Sequence, residues 1–112
     1  MNLSLRLPPG LLSAIRLSAV ARGIPPSTWL LLALERWSRA RRLPPSSPAA
    51  SSALHRGLAE CLPVALTEEH LELADRRRGE LDRCAWLRLC AAAEIARPAG
   101  ANDAKQLFHK RT

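Results

Sequence analysis

Guanidinium groups dominate the chemistry that this sequence offers. Arginine supplies 15 of its 17 basic residues, and seven of them fall in residues 1–42 with Glu35 as the only acid there, a local charge of +6. Residues 43–60 are neutral, residues 61–97 carry −1 and the tail 98–112 carries +2, so the positive potential belongs to the N-terminal third of a chain whose net charge is +7. Such a segment suits a polyanion, because each cation placed on a phosphate releases condensed counterions from a nucleic-acid duplex. An anionic membrane surface is the rival partner. A GC-rich genome would also explain abundant Arg, Ala and Pro, but it would not explain the asymmetry.

Other reactive side chains point nowhere in particular. Cys61, Cys84 and Cys90 are odd in number and lack a CxxC spacing, and His55, His70 and His109 do not cluster with them, so reduced thiols and no metal are expected. Cys84 lies near the start of a predicted helix, a position that lowers a thiol pKa, yet it has no neighbouring base. The expectation is a protein without catalytic residues or cofactor. The apolar run Trp29 to Leu34 falls far short of the roughly 20 residues that span a bilayer. An acid-free, Arg- and Ser-containing start would also fit a transit peptide.

The elements that carry these groups follow from periodicity. Leu3, Leu5 and Leu7 alternate with Asn2, Ser4 and Arg6, which puts the leucines on one face of a strand and the polar residues on the other. Pro8, Pro9 and Gly10 end it and open a helix through Leu11, Leu12, Ile15 and Ala19, closed by Gly23 as a left-handed cap. Pro25 and Pro26 start a second helix with an apolar stripe of Trp29, Leu30, Ala33, Leu34 and Trp37, broadened by Leu31 and Leu32. Residues 44–53 are a Pro/Ser/Ala linker, followed by a short piece with Leu54 and Leu58. Leu62, Val64 and Leu66 then alternate with Pro63 and Ala65 as a second strand. Thr67 caps a helix with Glu68 and Glu69 in its first turn, and Asp82 leads into a last helix bearing Trp86, Leu87, Cys90, Ala91 and Ile95.

The order strand, helix, turn, helix thus occurs twice, with Trp29 and Trp86 separated by 57 residues, as an internal duplication would produce. The expected organisation is unit 1 over 1–42, linker 43–60, a degenerate unit 2 over 61–97 and a basic tail over 98–112. The second unit is compressed, since Leu66 to Leu81 spans two positions fewer than Leu7 to Ile24.

The stretch Leu3-Ser-Leu-Arg-Leu-Pro-Pro, then Leu11-Leu12, Ile15, Arg22-Gly23-Ile24, Ser27 and Trp29-Leu30, resembles the ribbon-helix-helix family of Arc, MetJ and CopG type repressors over residues 2–40. Residues 61–95 look like a weaker copy, and the whole is similar to tandem proteins of the TraY kind, which are relaxosome accessory proteins. The resemblance implies a mainly α fold in which two tandem strand-helix-helix units form a single-chain pseudo-dimer, or in which two chains pair their first strands. Eighteen linker residues reach about 60 Å when extended, which permits the first arrangement.

In that family an antiparallel ribbon enters the major groove of double-stranded DNA, and outward strand residues read bases. Carried over, the base readers are Asn2, Ser4 and Arg6, with Arg6 suited to guanine and Asn2 to adenine. The phosphate anchor falls on Ser27 and Thr28, in a helix start where Pro25 and Pro26 each remove an N–H. Leu3, Leu5, Leu7, Trp29, Leu62, Val64, Leu66 and Trp86 would form the core or dimer interface. In unit 2, Pro63 and Ala65 replace the polar readers and Asp82 occupies the matching helix cap, where its carboxylate would repel a phosphate. Arg76, Arg77 and Arg78 read as a solvated helix end paired with Glu72 and Asp75. The implied function is a cytoplasmic, nucleoid-associated, sequence-specific repressor that self-associates and does not enter a membrane. An accessory role in plasmid mobilisation and an interaction module that has lost DNA binding are the alternatives.

Overall fold

The computed structural model describes residues 1–40, 57–58 and 60–97. Nearly all of the expected linker, and the tail 98–112, lie outside the described residues. The elements are β1 (Asn2–Leu7), α1 (Leu11–Arg22), α2 (Pro26–Arg39), β2 (Glu60–Ala65), α3 (Glu68–Arg77) and α4 (Arg83–Ala96). Among the described residues the protein is mainly helical with one two-stranded antiparallel sheet.

The strands form because each has one face to bury. Leu5 and Leu7 of β1 are fully enclosed and Leu3 packs on the rim of the same core, while Leu62, Val64 and the following Leu66 do the same for β2. The two strands pair within the chain, Leu3 opposite Val64 and Leu5 opposite Leu62. A second chain is therefore not needed to complete the sheet.

Register explains how β2 tolerates a proline. The Met1 amino group donates to the Leu66 carbonyl and the Leu66 N–H donates to the Met1 carbonyl, each at 2.8 Å, so this is a hydrogen-bonded pair. An antiparallel ladder alternates bonded and non-bonded pairs, which makes Ser4–Pro63 a non-bonded one. The nitrogen of Pro63 then faces the open edge of β2, where a missing N–H costs no ladder bond. By the same parity the Arg6 carbonyl faces the outer edge of β1, and the buried Arg88 of α4 donates to it at 3.3 Å.

Local chemistry sets the helix ends. Gly23 adopts φ +70°, and its N–H and that of Ile24 close α1 on the carbonyls of Val20 and Ala19, a left-handed cap that costs glycine nothing sterically. Pro25 and Pro26 begin α2 without a side-chain cap. At the start of α3 the Thr67 hydroxyl accepts from the His70 N–H while His70 Nδ1 accepts from the Thr67 N–H, both at 3.2 Å, a reciprocal box built with histidine in place of the usual Glu or Gln. Asp82 caps α4 by accepting from the Ala85 N–H at 2.7 Å.

All the elements bury their apolar stripes in one cluster. Trp29 and Trp86 are its largest members, and each indole N–H finds a hydroxyl, Ser18 at 2.8 Å and Ser38 at 3.1 Å, as buried tryptophans require. Of the broad stripe on α2, Leu31 packs against the core whereas Leu32 is 44 % exposed. Leu89 of α4 is buried. No single described helix is long and apolar enough to cross a membrane.

Candidate functional site

Because inward leucines hold the strands flat against the helices, the opposite face of the sheet is left to solvent. It presents Asn2, Ser4 and Arg6 from β1 and Cys61, Pro63 and Ala65 from β2, all exposed. Register sets them as three cross-strand pairs: Asn2 with Ala65, Ser4 with Pro63 and Arg6 with Cys61. Each pair thus joins one polar side chain to one that is apolar or nearly so.

Arg6 is the only cation on this face, and its guanidinium makes no hydrogen bond or ion pair among the described residues. Elsewhere the described arginines are engaged, with the exception of Arg16 on α1. Arg76 pairs with Glu72 at 3.9 Å and Arg78 with Asp75 at 2.8 Å. Arg77 donates to the Ala40 carbonyl at 2.9 Å. Arg76 and Arg78 thus pair with the acids that the sequence suggested, whereas Arg77 departs from a solvated helix end: it is half-buried against the end of α2, and its Nε is buried without a partner among the described residues.

A groove of about 330 Å³ opens at one end of the sheet, lined by the outward Asn2, Ser4, Pro63 and Ala65, by Leu3 and Val64 of the inward row, and by Ser27 of α2. The fold thus brings Ser27 beside two of the sequence-predicted base readers. Thr28 is exposed on the same helix turn but does not line the groove, and Arg6 lies farther along β1. The starts of α2 and α4 differ chemically. That of α2 has no side-chain cap, whereas that of α4 is closed by the Asp82 carboxylate, which adds negative charge where a helix dipole would otherwise attract an anion.

Three polar groups with defined roles carry little signal in the sequence. Glu94 of α4 is one, its side chain 1 % exposed and surrounded by Arg36 at 2.9 Å, Arg22 at 3.0 Å and Arg97 at 3.5 Å. Arg88, buried against the β1 edge, is another. A third is His70, whose Nε2 lies 3.1 Å from Glu35 and ties α3 to α2.

Neither Cys84 nor Cys90 is an activated thiol. Burial, reinforced by the Asp82 carboxylate, raises the Cys84 pKa, contrary to the lowering that a helix start alone would bring. Burial pushes the Cys90 thiol up strongly. Among the described residues no group of His, Cys, Asp or Glu is arranged to hold a metal ion. Compared with known proteins, the chain matches no family model, no curated protein and no solved structure.

Proposed function

We propose that this protein binds double-stranded DNA by laying the outer face of the β1–β2 ribbon in the major groove, and that it acts as a sequence-specific repressor on the bacterial nucleoid. The observation that carries the reading is Arg6: exposed, in a row with Asn2 and Ser4, and without a partner among the described residues. Such a guanidinium keeps its full fork of donors for an anion or a guanine edge. A two-stranded ribbon also fits a groove about 12 Å wide.

In this reading the chain is a single-chain pseudo-dimer of ribbon-helix-helix units. Supporting it, α2 and α4 begin and end 57 residues apart, as Trp29 and Trp86 do. Under a two-fold relation, a residue that touches its own counterpart lies on the axis. Leu5 pairs with Leu62 in the sheet and Trp37 touches Glu94 beyond the core, both across 57 residues. The first helices depart from the relation, α1 having 12 residues and α3 only 10.

Since one chain supplies both strands, self-association would join whole pseudo-dimers. The same intrachain pairing favours a second reading as a relaxosome accessory protein, the role of the tandem proteins that the sequence resembles. A relaxase gene or transfer origin beside the gene would separate it from the repressor.

The test is fluorescence anisotropy of the full chain on labelled duplex across a salt series. Affinity that falls linearly in log salt supports the reading, with Arg6→Ala relaxing base preference. Absence of binding at low salt overturns it in favour of an interaction module.

A further inference from the structure

On the basis of the DNA reading above, we propose that the β2 half of the ribbon recognises thymine methyl groups, so that the selected duplex is asymmetric: purine edges under β1 and thymines under β2. The outward face is divided lengthwise. Asn2, Ser4 and Arg6 of β1 carry donors and acceptors, while Pro63 and Ala65 of β2, set directly opposite Ser4 and Asn2, carry neither on their side chains.

The pairing geometry keeps the two rows close. The outward pairs are the non-bonded ones of the ladder, in which facing Cα atoms approach to about 4.5 Å. Both rows therefore enter one groove together, and Pro63 and Ala65 are both exposed beside their polar partners. From Asn2 to Arg6 the row extends over four residue steps, about 14 Å at ~3.4 Å each. That length covers about four base pairs at the ~3.4 Å spacing of a duplex strand.

Among the groups a major groove displays, the thymine C5 methyl is the apolar one, the rest being hydrogen-bond donors and acceptors. A cytosine amino group under Pro63 would lose its water and gain no acceptor, and such an orphaned polar group is costly. A thymine methyl there exchanges water for van der Waals contact with the proline ring. The polar row and the apolar row consequently make opposite demands, and a palindrome, which offers both rows the same edges, satisfies only one of them.

The experiment selects duplexes from a random library with the full chain and then replaces each thymine of the best duplex by deoxyuridine, which removes a methyl and nothing else. Because the change lies in the DNA, protein folding is not in question. We expect one or two positions at which uracil weakens binding about fourfold, the equivalent of ~0.8 kcal/mol for one buried methyl. Ala65→Ser and Pro63→Ser should shrink that penalty, whereas Arg6→Ala should weaken binding and leave the penalty intact. Salt-sensitive binding with no uracil penalty at any position, or a palindromic selected site, overturns the methyl readout while DNA binding stands. No salt-sensitive binding to any duplex overturns both.

Discussion

The indole N–H of Trp37 donates to Glu94 Oε1 at 3.2 Å, joining the C-terminal halves of α2 and α4 across 57 residues of chain. The same carboxylate also receives Arg36 on Oε1, and Arg22 and Arg97 on Oε2. One buried acid thereby ties together α1, α2, α4 and the chain that leaves α4.

Replacing that acid should be expensive. Glu94→Gln removes the charge that holds three guanidiniums together, and breaking a buried pair from one side costs ~3–5 kcal/mol. The arginines keep 25–43 % of their side-chain exposure, so about 2 kcal/mol is expected here, read as a lower urea midpoint at unchanged slope. A midpoint equal to wild type would show that the network contributes nothing net.

Ser38 isolates a single hydrogen bond. In Ser38→Ala the Trp86 indole N–H loses its 3.1 Å acceptor within the core, and a buried unpaired donor costs about 1–3 kcal/mol. A second change, Trp86→Phe, removes the orphaned donor, so the double variant should be less destabilised than the sum of the singles.

Acid sensitivity should pass through Asp75. Hydrogen bonds from Arg83 first and Arg78 second hold its carboxyl below the usual carboxylate range. A depressed folded pKa gives stability that is complete above the unfolded value, about pH 4, and is lost as pH falls through the folded value. Asp75→Asn should therefore flatten the fall of the thermal midpoint below about pH 4 and leave less salt-dependent stability at neutral pH. An acid limb identical to wild type would contradict this assignment.

Thiol labelling should resolve three classes. Cys61 is exposed, Cys84 is half-buried with a raised pKa, and Cys90 is buried and raised further. In a chromogenic disulfide assay at neutral pH we expect one fast thiol per chain, one slow, and a third only in denaturant. Under the DNA reading, a bulky label on Cys61, opposite Arg6, should also lower duplex affinity, whereas the uncoloured small adduct from iodoacetamide should lower it less.

Much of this protein was legible in the order of its residues. Alternating leucines determined which strand face turns inward, because a period of two admits one buried side. The Gly23 stop, the Thr67 and Asp82 caps and the buried Trp29 and Trp86 all followed from local rules that need no partner from elsewhere in the chain. Contacts between distant segments were beyond those rules. The pairing of β1 with β2 of its own chain was set by long-range packing, since Leu3, Leu5 and Leu7 would satisfy a second copy equally well. Only the tertiary structure decided that Glu94 gathers Arg22, Arg36 and Arg97, that Arg88 reaches the Arg6 carbonyl, and that Ser27 comes to lie beside Asn2. Periodicity states which side of an element seeks burial, whereas the identity of what covers it is set when long-range packing closes the core.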